Sequence, residues 1–408
     1  MKPMGAVPAH WQVLDGRLTV AGRTAEDWAD EIGTPCFLYS AHALDDRVAE
    51  LRPAMPDGLR LHYAMKANPH PDVLRHLRPL LDGLDIASGG ELAGALAAGF
   101  SGEDISFAGP GKRLAEIEAG LRAGVTFNAE SVSEVERILA AAATLGLTPR
   151  VALRVNPAFE TRGSGLHMGG RASPFGMDED DVPRALALLS EGEWQGYHIY
   201  AGSQALSAEA VIATQAATIN LMVELTERTG RQPRHVNLGG GFGIPYFPKE
   251  QPLDIRAVGE ALATTLAGPA AATLADTVFS IELGRWLVGE AGVYLTRVVE
   301  KKVSRGETFL VTDGGLHHQL AASGNFGTVV RRNYPLALAR RVDAPENERE
   351  EVTVVGCLCT PLDKFGDRVG LPRAEVGDVV AVFMAGAYGA TASPAAFLGH
   401  GPAPERVV

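Results

Sequence analysis

The chain has 408 residues, of which 46% are apolar, 21% charged and 6% aromatic, the composition of a globular protein with a large core; at about 150 residues per domain it suits two or three domains. Its 37 basic and 49 acidic residues give a net charge of −12, which speaks against a nucleic-acid surface, and no apolar run reaches the roughly 18–20 residues of a membrane span. Cys36, Cys357 and Cys359 are an odd and sparse set that argues against a disulfide framework and for a reducing cytoplasm, and the N-terminal MKPMGAVPAHWQVLDG lacks the apolar core of a signal peptide.

The first elements read as β structure. WQVLDGRLTV places two short apolar runs around Asp15-Gly16, a turn pair favoured in hairpins. From about residue 40 the pattern changes: Ser40 caps a predicted helix whose Leu44, Val48 and Leu51 share a face. Strand and helix then alternate, with strands predicted at 61–65, 84–87, 104–108, 125–128, 150–155, 196–201, 234–238 and 278–283. One intervening helix, SVSEVERILAAAA, begins with Ser131 and Glu134 as a capping box and aligns Val135, Ile138 and Leu139. Eight alternations predict a closed (β/α)8 barrel, with an open doubly wound sheet as the alternative. Beyond about residue 290, VYLTRVVEKKV, TFLVTD, EVTVVGCL and DVVAVFMAG are rich in β-branched residues between turns and predict a β domain, which the N-terminal strands have the character to join. The expected division is 1–38 for those strands, 39–278 for the barrel and 279–408 for the β domain.

Barrel enzymes carry their chemistry at the C-terminal ends of the strands. The first strand ends in Tyr63-Ala64-Met65-Lys66-Ala67-Asn68-Pro69. Lys66 is either a surface lysine at the barrel mouth or an amine activated by desolvation to form a Schiff base. The seventh strand runs into Gly239-Gly240-Gly241-Phe242-Gly243, a flexible turn or a main-chain cradle for an anion. The eighth ends in Glu282-Leu283-Gly284-Arg285; closure of the barrel brings Glu282 near Lys66, as a structural ion pair or as the carboxylate on a cofactor's ring nitrogen, with Arg285 serving a phosphate or carboxylate. Arg154 ends the fifth strand, and His198 and Tyr200 lie on the sixth before Gly202-Ser203-Gln204. A lysine, a glycine cradle, a carboxylate and an aromatic ring together describe a pyridoxal 5′-phosphate (PLP) site.

The motifs HYAMKANP, LDIASGGEL, LRVNP, GSQ, GGGFG, ELGR, GCLCTPLD and GAYG occur in the order found in fold-type III PLP-dependent decarboxylases, the group containing diaminopimelate and ornithine decarboxylases, which the chain resembles over nearly its whole length. The resemblance implies an α/β fold, a PLP-binding (β/α)8 TIM barrel of the alanine racemase type plus a C-terminal β-barrel or sandwich domain completed by the N-terminal strands. It implies that Lys66 binds PLP, that Asp85 and Glu91 support the lysine and its surroundings, and that Arg154 and Tyr200 lie against the cofactor. Ser203, Gly240, Gly241, Arg285 and Tyr388 resemble the phosphate contacts, and Glu282 the partner of the pyridine nitrogen. Cys359 resembles the group that protonates the carbanion, supplied in trans within a homodimer. Arg285, Tyr334, Thr360, Asp363 and Tyr388 are the implied substrate contacts.

Several positions depart from the family pattern. The usual stacking histidine is Tyr200, the usual Lys-Phe-Gly is Pro174-Phe175-Gly176, and Thr360 replaces the acidic residue that follows the cysteine in diaminopimelate and ornithine enzymes. The terminal tyrosine motif is replaced by SPAAFLGH (393–400). SFAGPGK, GSGLHMGG, DGGLHHQLAASGNFG and RRNYPL are most similar to decarboxylases associated with exosortase and exopolysaccharide genes, whose relatives act in siderophore assembly and on carrier-tethered glutamate. The expected activity is therefore α-decarboxylation of an amino acid or conjugate other than a simple diamino acid, free or carrier-linked, in a cytoplasmic homodimer without nucleic-acid or membrane partners. His317, His318, Arg331, Arg332 and His400 are candidates for the pocket rim or ordinary surface residues. The alternatives are diaminopimelate decarboxylation, an amino-acid racemase and a non-catalytic PLP-binding protein.

Overall fold

In the computed structural model, residues 1–159, 172–325 and 331–408 are described, with the main chain of 166–167. Most of GSGLHMGG and the end of the GNFG motif lie outside the described residues. Eight strands form the barrel: β1 (Arg60–Ala64), β2 (Gly83–Ile86), β3 (Ile105–Phe107), β4 (Thr126–Ala129), β5 (Arg150–Asn156), β6 (Trp194–His198), β7 (His235–Gly240) and β8 (Val278–Leu283). All pair in parallel around the ring, and β8 meets β1 with Ile281 opposite Leu61 and Glu282 opposite His62. The ring closes, so the open-sheet alternative does not hold.

The strands are buried on both faces, as parallel strands covered by helices must be: Val151–Asn156 and Leu61–Ala64 are buried throughout. Each fully buried Leu, Val or Phe contributes about 1.5–3 kcal/mol relative to exposure, which is why the runs are nearly continuous rather than alternating. The helix Val132–Leu145 begins at Ser131, whose hydroxyl accepts from the Glu134 amide at 3.1 Å, and ends at left-handed Gly146. Only half of the expected capping box forms. The Glu134 carboxylate instead takes Lys112 Nζ at 2.8 Å and the Glu130 amide at 2.8 Å, because the buried ammonium needs a counter-charge more than the first turn needs a second cap.

By its internal contacts the chain divides into a barrel unit, 47–244 with 252–286, and a β unit, 1–46 with 245–251 and 287–408. β8 belongs wholly to the barrel unit because it closes the ring. In the β unit the long strand Gly292–Ser304 pairs with Val379–Val382, Glu307–Thr312 and Cys36–Tyr39, and Glu405–Val407 adds to Cys36–Tyr39 in parallel. Leu336–Leu338, Arg349–Val355 and Lys364–Pro372 extend the sheet. The N-terminal segment thus joins through Cys36–Tyr39. The hairpin Gln12–Leu14/Arg17–Val20 turns at left-handed Asp15 and Gly16, as its sequence suggests, yet forms a separate three-stranded sheet with Arg23–Thr24.

Candidate active site

The C-terminal ends of the barrel strands gather most of the predicted residues. Lys66 lies in the short turn Met65–Ala67 directly after β1, exposed in the single chain, with its Nζ 5.1 Å from the centre of the Tyr200 ring. Tyr200 therefore occupies the place of an aromatic cover beside the amine. The turn Gly284-Arg285 after β8 packs closely here: a Cβ on Gly284 would stand 3.0 Å from that of Ala67.

Glu282, on β8, is buried and receives two hydrogen bonds on the same oxygen. His198 Nε2 and Asn237 Nδ2 lie 2.9 Å and 3.0 Å from Oε2, which leaves Oε1 for a further donor. Burial alone works to neutralise this carboxyl, but His198, Lys66 and Arg154 outweigh it and hold the group ionised, with a pKa lowered to about 2. Asn237 also accepts from the Gly239 amide at 2.9 Å, so one side chain ties the carboxylate to the glycine turn.

The glycines of that turn are dictated first by the fold. A Cβ on Gly239, Gly240 or Gly241 would lie 2.4, 1.7 and 2.1 Å from the carbonyl oxygens of Ile199, Glu282 and Gly202, respectively. Gly239 and Gly241 also hold positive φ values of 71° and 78°. The loop bearing Ser203 is stapled to the same turn: Ala205 donates to the Gly241 carbonyl at 2.9 Å, and Gln204 exchanges side-chain bonds with Ile244. The three glycines thus project no side chains, and the Gly239 amide is held by the Asn237 side chain.

Arg154 is anchored by Glu130, whose Oε1 accepts from Nη1 at 2.9 Å and from the Gly109 amide at 2.5 Å, while Oε2 accepts from Gly176 at 3.0 Å. Phe175, from the departing Pro-Phe-Gly segment, stacks 5.2 Å from the Arg154 guanidinium. Lys112 and Glu134 form the layer beneath; Lys112 also donates to the Gly109 and Asn128 carbonyls, each at 2.9 Å. Asp85 faces the barrel interior, where its carboxylate lies 3.3 Å from His62 Nδ1. Burial opposes charge on His62, but Asp85 and then Glu282 raise its pKa above the usual imidazole value. Glu91 accepts the Ala87 amide at 2.6 Å, and burial raises its carboxyl against that bond and the pull of Lys66.

Sequence reasoning missed Glu130, Asn237 and His62. Glu130 was findable, since it directly follows β4 at the end of the barrel where the others lie. A cavity of about 140 Å³ at the opposite, N-terminal end of the barrel is lined by Arg60, Asp82 and Arg150 and includes none of the predicted site residues.

The remaining predicted residues belong to the β unit. Cys359 is exposed and Thr360 half-buried in the loop after Arg349–Val355. Asp363 is 2% exposed, and its two oxygens accept from the Leu316 amide at 2.6 Å and the Leu358 amide at 2.9 Å. It clamps two loops in this way, and Gly315 and Gly356 leave the space its carboxylate fills. Tyr388 sits half-buried at a left-handed φ of 54°. Tyr334 is buried against Tyr246 and Phe247, at ring separations of 4.9 and 5.7 Å. Arg332 stacks on Phe247 at 3.7 Å and pairs with Glu250 at 2.9 Å.

Comparison with known proteins accords with this geometry. The model of the pyridoxal-dependent decarboxylase pyridoxal binding domain matches residues 42–289. An L-glutamyl-[BtrI acyl-carrier protein] decarboxylase of Niallia circulans is 38% identical over 92% of this chain and 88% of its own. A 2-[(L-alanin-3-ylcarbamoyl)methyl]-2-hydroxybutanedioate decarboxylase of Staphylococcus aureus is 29% identical over 91% and 93%. The crystal structure of diaminopimelate decarboxylase from M. jannaschii with L-lysine superposes with a TM-score of 0.87 and 28% identity, covering 97% of this chain and 92% of that one. The open Oε1 of ionised Glu282, the Lys66 amine beside an aromatic face and the side-chain-free turn suit PLP, and no helix among the described residues is long and apolar enough to cross a membrane. A match across more than half the chain, around a barrel mouth built for this cofactor, establishes that the chain belongs to the pyridoxal-dependent decarboxylases.

Proposed function

We propose that this enzyme removes the α-carboxylate of an amino acid whose distal group is neutral, acidic or conjugated, with a carrier-linked glutamyl group as the leading candidate. The observation that carries the reading is the cysteine loop: Thr360 is uncharged, and both oxygens of the nearby Asp363 are committed to main-chain amides. A distal ammonium held there meets no uncommitted carboxylate on the described residues of this loop, at a cost of several kcal/mol when buried. Arg331 supports the same reading, since its guanidinium is partly buried and Nη2 has no hydrogen-bond partner among the described residues. The names of the Niallia and Staphylococcus relatives agree with a conjugated substrate; those of the diaminopimelate relatives keep diaminopimelate as the second reading.

PLP, when bound, supplies the electron sink for breaking the bond between Cα and the carboxylate. In our assignment Lys66 holds the cofactor, and Glu282, oriented by His198 and Asn237, keeps its ring nitrogen protonated. Asp85, Arg154 and Tyr200 border it. Ser203, Gly240, Gly241, Arg285 and Tyr388 bind its phosphate, with Arg285, Tyr388, Tyr334 and Thr360 toward the substrate. Cys359 delivers a proton to Cα as carbon dioxide leaves, so each turnover consumes one proton and yields the amine. We further assign a cytoplasmic homodimer with shared sites.

The test is carbon dioxide release from glutamate, glutamyl-carrier conjugates, citryl-type amino-acid conjugates, ornithine, lysine and meso-diaminopimelate. Preference for an acidic or conjugated substrate, shifted toward diamino acids by Thr360→Glu, supports the proposal. Efficient turnover of meso-diaminopimelate by the unaltered enzyme overturns it.

A further inference from the structure

The β unit holds a second cluster that decarboxylation does not use. His317, Cys357 and His400 each present a ligand atom, and the three atoms lie within 4.8 Å of one another. Cys357 Sγ is 3.9 Å from His400 Nε2. His317 is fully buried, its ring 4.4 Å from that of His400, and neither of its nitrogens has a hydrogen-bond partner among the described residues. Two unsatisfied nitrogens in one buried ring are costly, so the arrangement calls for a ligand. His318, although its ring centre lies 3.8 Å from that of His317, stands outside the cluster. Its Nε2 donates to the Gly401 carbonyl at 2.9 Å, which leaves Nδ1 to accept from the Tyr294 hydroxyl at 3.2 Å.

The donor set favours a cation over an anion: two imidazoles and a thiol offer nitrogen and sulfur lone pairs, the combination that zinc takes. Access exists on both sides: a cavity of about 260 Å³ is lined by His318, His400 and Gly401, and one of about 420 Å³ by Cys357, Leu358 and Thr360.

We propose that His317, Cys357 and His400 form a three-ligand site for zinc, with the fourth position open to water or a donor from a ligand. Tetrahedral zinc with bonds of about 2.0–2.1 Å to nitrogen and about 2.3 Å to sulfur sets its ligands roughly 3.4–3.6 Å apart. The Cys357–His400 pair is already near that separation, and a spacing of up to 4.8 Å closes by at most about 1.2–1.4 Å through side-chain rotation. Binding releases the thiol proton and forms the zinc–sulfur bond, with no change in oxidation state. Cys359, two residues on and exposed, stays outside the site.

The experiment is a titration of chelator-treated, PLP-loaded enzyme with zinc(II) alone, by competition with a chromophoric chelator, and with cobalt(II) to report tetrahedral thiolate coordination. One zinc per chain is expected. Cys357→Ser and His400→Ala, each checked for an unchanged far-ultraviolet spectrum, weaken it by at least about 100-fold, since even outer partners of a metal site are worth about 10–100-fold. Cys359→Ser leaves the affinity within about threefold. Absence of stoichiometric zinc, or zinc that survives both ligand substitutions because the cofactor or another surface carries it, overturns the assignment. None of these readouts requires turnover, so the result stands apart from the identity of the decarboxylated substrate.

Discussion

Replacing Asn237 with leucine tests how the fold keeps Glu282 charged. The amide of Asn237, 2% exposed, donates to Glu282 Oε2 at 3.0 Å, and leucine keeps its approximate shape without the donor. A hydrogen bond to a charged acceptor contributes about 1.5–3 kcal/mol, or roughly 1–2 pKa units at 1.36 kcal/mol per unit. The bond favours the ionised form, so its loss raises the carboxyl from about 2 toward about 3–4, still below neutrality. Because the folded pKa of Glu282 is depressed, the stability it contributes is present above the unfolded value and lost as pH falls through the folded one; the variant gives up part of that contribution in the same acid window. At pH 8 kcat should remain within about threefold, while the acid limb of its pH profile moves upward by about one to two units. Glu282→Gln, which removes the charge itself, should cost about 10²–10³-fold at every pH. Steady-state profiles of both variants, with PLP affinity measured separately to catch any effect through the Gly239 amide, decide the matter. If Asn237→Leu at full PLP occupancy is as slow as Glu282→Gln at pH 8, or its acid limb does not move, the electrostatic account is wrong.

Three further outcomes are expected. Borohydride reduction of the yellow holoenzyme should abolish its visible absorbance and tag Lys66, and Lys66→Ala should take up no tag; a tag elsewhere on the chain refutes the assignment. Lys66→Ala and Cys359→Ala, each inactive, should recover about a quarter of the activity after statistical subunit exchange, because half the dimers then hold one intact site if the cysteine acts in trans; verified exchange without recovery refutes a shared site. Lys112→Met leaves Glu134 buried without its counter-charge and should destabilise the protein by about 3–5 kcal/mol in urea unfolding, with Glu134→Leu restoring most of the loss; a small effect of the single substitution contradicts the buried pair.

The barrel and the positions of Lys66, Arg154, Tyr200 and Glu282 were legible because parallel strands buried on both faces leave an unmistakable apolar run, and a charged residue at its C-terminal end stands out. The supporting residues were not legible for the opposite reason. Lys112, in GPGK, has the local sequence of an exposed loop lysine, and only the fold shows that it donates to two carbonyls and a carboxylate. Asn237 lies inside an apolar strand next to three glycines, where periodicity marks a polar residue without saying what it bonds. Glu134 matched a helix-capping pattern that its carboxylate abandons for Lys112. Asp363 kept a family position, but the demands of the Leu316 and Leu358 amides decide what it does.

These commitments bear on how the enzyme chooses a substrate. In the barrel, Glu282 and Arg154 are each fixed by neighbours, so their charge and direction are set before any ligand arrives, the condition under which electrostatic stabilisation costs no reorganisation. In the β unit, Asp363 and Arg332 are likewise taken, by loop amides and by Glu250. Arg331 differs. Burial lowers its pKa against the pull of Asp367 and Asp363, and part of its guanidinium donates to nothing among the described residues. An incoming carboxylate or carbonyl gains from that unspent donor, whereas an incoming ammonium adds repulsion to its own desolvation. The proposed bias against a diamino acid would therefore have two physical sources, the lack of an uncommitted carboxylate beside Thr360 among the described residues and the presence of an incompletely paired cation at Arg331.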